Sequence, residues 1–201
     1  MLSEGITIGT WGNVSLKDPD TGYVYLTPSG MPYPSLVESD IVVMKLDGTI
    51  VEGERRPTIE APMHLAIYRA REDCSAVIHT HPIYSTAFSS MGEDIPLMLD
   101  EAAQALGDTV RTADYALPGS VELAENCVKA LGKRSMACLL KSHGAVCLGA
   151  TLEQAFGNST VLEATAQIYS IIRSMGGRFH PISPENIAAM QSFVKTGYGQ
   201  R

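Results

Sequence analysis

The sequence lacks the features that mark exported, membrane-spanning and nucleic-acid-binding proteins. It has four cysteines in 201 residues, none in a Cys-x-x-Cys pair, and its first residues lack the basic and apolar regions of a secretory signal. No apolar stretch approaches the roughly 20 residues that a membrane span requires. No basic cluster is longer than Arg55-Arg56, and the net charge is -7. We therefore expect a cytoplasmic protein with free thiols, and neither a membrane nor a nucleic acid as its partner.

Internal repeats, low-complexity tracts and linker-like segments are also absent. The chain has 45% hydrophobic residues, enough to bury one full core. We therefore predict a single domain that spans residues 1–201. A small anionic substrate stays compatible with the acidic composition, because backbone N–H groups can hold a phosphate without positive side chains.

The alternation of short β-type runs with turn signals predicts an antiparallel meander in the first third of the chain. Its strands are expected over residues 6–8, 13–16, 23–27, 41–44 and 49–51. Apolar residues at helical spacing predict a helix that opens at Pro57-Thr58. Further helices are predicted over 84–90, 100–106, 121–131 and from the capping box at 151–154, and further strands over 75–81, 137–140 and 145–148. Strands and helices mix without strict alternation, so we expect an α/β fold of the α+β type: a mainly antiparallel mixed sheet flanked by helices on both faces.

Three histidines carry the strongest chemical signal. His79 and His81 end a β-branched apolar run, and residues i and i+2 of a strand point to the same face, so both imidazoles can reach one ion. His143 follows another apolar run and can complete the set. Three neutral imidazoles with an open fourth position are typical of catalytic rather than structural zinc. The alternative is that each histidine packs or makes a local hydrogen bond.

Glu60 and two glycine-bearing loops have both a plain and a functional interpretation. A glutamate in the first turn of a helix commonly only stabilises that terminus, but beside an ion Glu60 becomes a candidate general base. The loops over residues 9–13 and 27–30 can be simple turns. They can also hold an anion through backbone N–H groups and the side chains of Asn13 and Ser29.

Together these motifs resemble the class II aldolase/adducin family. They follow the order and approximate spacing of that family over almost the whole chain: Gly12-Asn13-Val14-Ser15, Thr27-Pro28-Ser29-Gly30, Pro57-x-x-Glu60 followed by His64, His79-Thr80-His81 and His143-Gly144. The likeness is greatest to zinc-dependent L-fuculose-1-phosphate aldolases and related sugar-phosphate aldolases. Relatives usually have a helix before the Gly12-Asn13 loop, and we expect this helix to be missing here.

The resemblance implies a role for each matching position. His79, His81 and His143 would bind one Zn²⁺ per subunit, Glu60 would be the acid/base, and Tyr198 would protonate the aldehyde oxygen. The residues that match those holding the substrate phosphate are Gly12, Asn13, Ser29, Gly30 and Thr58. The resemblance also implies a cyclic homotetramer with its sites between subunits.

Two positions depart from the pattern of the fuculose enzymes. Ile59 replaces a second serine on the phosphate, so one donor is missing. Asp100 stands roughly where a tyrosine reaches into the site of the neighbouring subunit. We therefore expect the aldehyde half of the substrate to differ from L-lactaldehyde.

The reaction implied is zinc-dependent cleavage of a ketose 1-phosphate, either L-fuculose 1-phosphate or a related deoxy-ribulose 1-phosphate, to dihydroxyacetone phosphate and an aldehyde. Within the family the alternatives are a methylthioribulose-phosphate dehydratase, a sugar-acid phosphate decarboxylase and an L-ribulose-5-phosphate 4-epimerase, which typically has aspartate in place of Glu60. An assembly module like the adducin head would need no ion, and the three histidines with Glu60 disfavour it. A hydratase of the carbonic anhydrase kind would not need the phosphate-type loops.

Overall fold

The computed structural model describes residues 1–196, which are organised around one eight-stranded sheet. The strands are β1 (Asn13–Lys17), β2 (Val24–Leu26), β3 (Val42–Met44), β4 (Ile50–Glu52), β5 (Ala76–Thr80), β6 (Thr112–Ala113), β7 (Ala137–Leu140) and β8 (Gly144–Gly149). Their order across the sheet is β4-β3-β2-β1-β5-β8-β7-β6. Neighbouring strands are antiparallel except β6 and β7, which are parallel.

Helices cover both faces of this sheet. They are α1 (Ala61–Ala70), α2 (Ile83–Met91), α3 (Asp100–Leu106), α4 (Val121–Leu131), α5 (Leu152–Ser174) and α6 (Pro184–Thr196). Helices α1 and α4 bury one core against the sheet, and α2, α3, α5 and α6 bury a second core on the other face. The predicted class, a mainly antiparallel mixed sheet between helices, is confirmed. None of the helices in residues 1–196 combines the length and the apolar character that membrane crossing demands.

The predicted meander corresponds to β1–β4, and each strand end lies within one residue of its predicted place. The strand predicted over residues 6–8 is wrong. Gly5 and Gly9 flank this run with φ of +66° and +61°, left-handed values that turn the chain before a strand can form. Ile6 and Thr7 are nevertheless buried. The short strand β6, the helix α6 and two 3₁₀ turns at Tyr33–Ser35 and Glu38–Asp40 were not predicted.

Strand β5 lies at the centre of the sheet, between β1 and β8, and is buried along its length. Its side chains alternate between the two faces of the sheet: Val77 packs in the core with α1 and α4, whereas Ile78 packs with Ala155 of α5 in a third, smaller cluster. Near the end of this strand His79 pairs with Asn13 of β1 and with Val146 of β8. The sheet register therefore places an asparagine from the first glycine-bearing loop directly beside a predicted metal ligand.

Helix α1 begins at Ala61, with Glu60 as its N-cap, and not at Pro57-Thr58 as predicted. Pro57 bridges Pro28, and the Thr58 N–H donates to the carbonyl of Thr27 at 3.2 Å, so these residues stay extended beside the second loop. A proline within the first turn of the helix, where no N–H partner is needed, then favours the start at Ala61. Glu60 thus lies at the junction between the loop and the helix.

The turn between β7 and β8 brings His143 toward β5. Ser142 has φ of +56°, the only positive value of a non-glycine residue within residues 1–196. A Cβ on Gly144 would lie 2.4 Å from the carbonyl oxygen of Thr80 and 3.1 Å from Cδ2 of His81. Only glycine allows this close approach of the two backbones, and the approach sets the distance of His143 from the other two histidines.

The four cysteines, Cys74, Cys127, Cys138 and Cys147, are free and buried. Burial raises the pKa of Cys74 to about 11 and that of Cys147 to about 12. The thiolate is the reactive form of cysteine. We therefore expect a thiol-modifying reagent to react very slowly with the native protein at pH 8 and to titrate all four thiols after unfolding without reductant. Recovery of only two thiols would contradict this, and would indicate a disulfide between Cys127 and Cys138, whose sulfurs lie 3.5 Å apart.

Candidate metal centre

The side chains of His79, His81 and His143 converge on one point. The Nε2 atoms of His79 and His81 are 3.0 Å apart, and one ligand atom from each of the three histidines lies within 4.8 Å of the others. Ligand nitrogens at about 2.0–2.1 Å from a tetrahedral Zn²⁺ would be separated by about 3.3 Å. The 3.0 Å separation is close to this value, and the three nitrogens together are near enough for one ion to reach all of them.

Hydrogen bonding and burial prepare these imidazoles for metal binding. Nδ1 of His79 lies 2.9 Å from the carbonyl oxygen of Ala145. A carbonyl only accepts, so Nδ1 carries the proton and the lone pair of Nε2 faces the site. Burial lowers the pKa of His79, His81 and His143 to about 4 each. All three rings are therefore neutral at pH 7, which is the form that binds a metal.

Glu60 lies beside the histidine triangle and is 4% exposed. Its Oε2 is 3.2 Å from Nε2 of His79, and its Oε1 is 3.2 Å from Nε2 of His143. Oε2 also accepts a hydrogen bond of 2.7 Å from Nδ2 of Asn13, whereas Oε1 has no hydrogen-bond partner. Burying an unpaired carboxylate oxygen next to imidazole lone pairs is unfavourable. A divalent cation would satisfy both groups, and the residues present fit such an ion.

A cleft of about 420 Å³ opens onto this group. Its lining includes Glu60, His81 and His143. It also includes the five residues predicted to hold the phosphate: Gly12, Asn13, Ser29, Gly30 and Thr58. Ile59 also lines the cleft, with 62% of its surface exposed. Asp100 is exposed at the start of α3 and does not line the cleft. Tyr198 lies outside the described residues 1–196.

Two aromatic residues at the site were not predicted. The ring of Trp11 stacks on His81 with centroids 6.2 Å apart, yet Trp11 is 64% exposed. The Tyr33 hydroxyl donates to the carbonyl of Gly12 at 2.5 Å, and burial, with a smaller effect of the Glu60 charge, raises the pKa of Tyr33 to about 12. Tyr33 therefore stays protonated and holds the first loop in place as a donor.

A buried polar chain behind Glu60 was also not predicted. His64 Nε2 lies 2.5 Å from Oδ1 of Asn13, and His64 Nδ1 lies 2.6 Å from the hydroxyl of Ser15. The same hydroxyl is 2.8 Å from that of Tyr68. Asn13 and Ser15 alternate along β1, and Glu60, His64 and Tyr68 recur every fourth residue along the face of α1 that meets it. This matched spacing of polar residues on β1 and α1 was the sequence signal that could have revealed these hydrogen-bonded side chains.

Comparison with known proteins finds relatives over the whole length of the chain. Residues 1–170 match the family model described as Class II Aldolase and Adducin N-terminal domain. The chain is 37% identical over 203 residues to a 5-deoxy-D-ribulose 1-phosphate aldolase of Bacillus thuringiensis serovar kurstaki, and the match covers 100% of the chain and 92% of that protein. It is 36% identical over 201 residues to the L-fuculose phosphate aldolase of Escherichia coli K12, with coverage of 100% and 91%. A solved L-fuculose 1-phosphate aldolase superimposes with a TM-score of 0.91 at 36% identity, over 96% of this chain and 90% of that one.

The geometry predicts how the metal content depends on the histidines. We expect the purified protein to contain about one divalent ion per chain, as a single three-histidine site does. Replacing His79, His81 or His143 by alanine is expected to abolish stoichiometric binding, measured by elemental analysis after metal supplementation and dialysis. His180, which is exposed and outside the site, is the matched control, and His180→Ala should keep the ion. A wild-type protein without metal after supplementation would contradict the assignment.

Proposed function

The chain belongs to the family of class II aldolases and adducin N-terminal domains, and from this premise we propose that it cleaves a ketose 1-phosphate to dihydroxyacetone phosphate and an aldehyde. The observation that carries this proposal is the convergence of three imidazoles and one buried carboxylate at the base of a cleft lined by two glycine-bearing loops. Relatives that align with the full chain include a 5-deoxy-D-ribulose 1-phosphate aldolase and an L-fuculose phosphate aldolase. The protein is accordingly an enzyme, an aldehyde-lyase.

His79, His81 and His143 would hold the metal ion of this enzyme. We propose Zn²⁺, one per chain, because three imidazoles with an open position are a common set of ligands in catalytic zinc sites. When bound, the ion acts as a Lewis acid that stabilises negative charge developing on the carbonyl oxygen of the substrate. The unpaired Oε1 of Glu60 beside the histidines supports a cation at this place.

The substrate phosphate would bind between the two loops. No lysine or arginine of the described residues lines the cleft, so the anion would be held by backbone N–H groups of Gly12 and Gly30 and by the hydroxyls of Ser29 and Thr58. Asn13 uses one N–H of its amide on Glu60, and its second N–H remains available for the substrate. This donor set is neutral and suits an acidic protein.

Glu60 is the proposed acid/base. In the cleavage direction the C4 hydroxyl loses its proton, the C3–C4 bond breaks and its electron pair remains on C3. Glu60, in its protonated form, then delivers its proton to C3, which completes dihydroxyacetone phosphate, and the proton lost from the C4 hydroxyl returns the enzyme to its starting state. In the synthesis direction the Glu60 carboxylate removes the C3 proton. Its burial at the base of the cleft keeps bulk water from competing for the transfer. The proton at the aldehyde oxygen is assigned to Tyr198, outside the described residues.

The aldehyde half of the substrate is proposed to be small. Ile59 and Trp11 present exposed apolar surface to the cleft. Apolar walls favour an aldehyde with few hydroxyl groups. A 5-deoxy-ribulose 1-phosphate, which yields a two-carbon aldehyde, suits these walls better than L-fuculose 1-phosphate.

The function is tested in the synthesis direction, with dihydroxyacetone phosphate and a panel of aldehydes that includes acetaldehyde and L-lactaldehyde. We expect a ketose 1-phosphate product from the metal-loaded enzyme, detected by mass spectrometry, with the higher kcat/KM for acetaldehyde. Glu60→Gln should keep its metal but lose roughly two to four orders of magnitude in kcat, the usual effect of removing an acid/base group. Glu122→Gln, at the exposed start of α4, is the control and should retain wild-type kcat. An unchanged rate in Glu60→Gln would remove Glu60 from the mechanism.

We also propose that the enzyme is a cytoplasmic homotetramer with its sites at subunit interfaces. Tyr115, Leu117 and Val121 are 54–69% exposed and flank the cleft residue Pro118 in the sequence. We infer that these three side chains form one apolar patch, and such patches favour contacts between subunits. The buried free thiols support a reducing compartment.

Light scattering at micromolar concentration tests this assembly. We expect a mass of about four times the 21.6 kDa of one chain, the number of subunits that the family resemblance implies. Leu117→Glu should lower this mass because it places a charge in the apolar patch, whereas Met175→Glu, at a residue 78% exposed after α5, should not. A monomeric wild-type protein would contradict the proposal.

A further inference from the structure

Five side chains form one continuous buried chain behind the cleft. Tyr68 contacts Ser15, Ser15 contacts His64, His64 contacts Asn13, and Asn13 contacts Glu60. The four distances are 2.8, 2.6, 2.5 and 2.7 Å. His64, Ser15 and Asn13 are each at most 5% exposed. Every hydrogen bond except the one to Glu60 joins two groups that can each donate or accept. The donors could therefore all point toward Glu60 or all point toward Tyr68.

The Glu60 end fixes one direction. A carboxylate only accepts, so the amide N–H₂ of Asn13 must face Glu60, and its carbonyl oxygen Oδ1 must face His64. Nε2 of His64 then carries a proton. Burial lowers the pKa of His64 to about 3, so the ring is neutral and its Nδ1 is an acceptor. Ser15 donates to Nδ1, and the hydroxyl of Tyr68 donates to Ser15.

The hydrogen bond at the Tyr68 end favours the opposite direction, but it is the weaker of the two end contacts. The Tyr68 hydroxyl also lies 3.4 Å from the carbonyl oxygen of Ser75. If Tyr68 donated there, Ser15 would donate to Tyr68, His64 would donate from Nδ1, and the Asn13 carbonyl would face the Glu60 carboxylate. A charge-assisted bond at 2.7 Å is about twice as strong as a neutral one, and a bond at 3.4 Å is weaker still. The direction toward Glu60 is therefore favoured.

We propose that this one-way chain orients the carboxylate of Glu60, and that His64, in its Nε2–H form, is the positioning residue that sets its direction. The chain ties down Oε2 of Glu60 and leaves Oε1 without a hydrogen bond. One oxygen thus anchors the carboxylate, and the other faces the histidines and the cleft, where it can exchange a proton with the substrate. The consequence for catalysis rests on the acid/base role proposed for Glu60, whereas the direction of the chain does not.

Two amide substitutions test the role of His64. In His64→Gln the introduced amide can reach the position of Nε2 and donate to Asn13, whereas the shorter side chain in His64→Asn reaches only the position of Nδ1. We expect His64→Gln to keep kcat within about threefold, and His64→Asn to lose about 10- to 100-fold in kcat, the usual effect of losing a partner that orients an active-site group. KM and metal content should stay near wild-type values in both. Equal kcat values for the two variants would overturn the positioning role.

A matched control separates positioning from stability. Asn158 is buried in α5, where its Nδ2 donates to the carbonyl of Leu148 at 2.8 Å, outside the hydrogen-bonded chain that ends at Glu60. Asn158→Ala should lower the urea midpoint as His64→Asn does and leave kcat unchanged. If kcat follows the urea midpoint across all three variants, His64 has only a structural role and the proposal fails.

NMR of the wild-type holoenzyme tests the direction of the chain without any activity assay. With ¹⁵N-labelled histidine, the His64 signals are identified by their absence in His64→Gln. We expect a protonated Nε2 and an unprotonated Nδ1 at pH 7, the tautomer that the chain requires. A proton on Nδ1 would overturn the proposal even if the enzyme is an aldolase. The expected tautomer together with a fully active Glu60→Gln would instead contradict only the role of Glu60.

Discussion

The pairing of β5 with β1 on one side and β8 on the other is the constraint on which the rest of the site depends. It places His79 at full burial between Asn13 and Val146. It also requires glycine at position 144, where a side chain would collide with the carbonyl of Thr80. Because backbone pairing fixes strand positions to a fraction of an ångström, three histidines from two separate segments can meet with nitrogens 3.0–4.8 Å apart. The geometry of the candidate metal centre is therefore set by the sheet.

Electrostatics explains why such a site calls for a cation. A buried carboxylate and three neutral imidazoles all present lone pairs to one small volume, and Oε1 of Glu60 has no donor. Groups of this kind are stable in a protein interior when a positive charge or a donor satisfies them. On the side away from the cleft the protein supplies donors through Asn13, which is itself held by His64. The carboxylate thus has a hydrogen-bond donor on the interior side and stays accessible from the cleft.

Many elements could be predicted because their signals are local. The strands of the meander, the helix from Asp100 and the long helix after Thr151 follow from turn residues, apolar periodicity and a cap. Elements that depend on distant partners were missed or misplaced. Strand β6 has two residues and exists only through its pairing with β7. Helix α1 starts late because Thr58 is bonded to Thr27 of another segment, and residues 6–8 turn between two glycines instead of extending.

The order of residues specifies the types of side chain and the spacing that allow metal-assisted chemistry: two histidines on one strand face, a third after a buried strand, and a glutamate at the start of a helix. Which atoms face each other follows from the folding of distant segments against one another. The tertiary structure set the 3.2 Å contacts of Glu60 with His79 and His143, the proton on Nδ1 of His79, and the polar chain from Tyr68 to Glu60. The physical reason is that polar contacts take their direction from neighbours in space, and these neighbours are 19 to 83 residues apart along the chain.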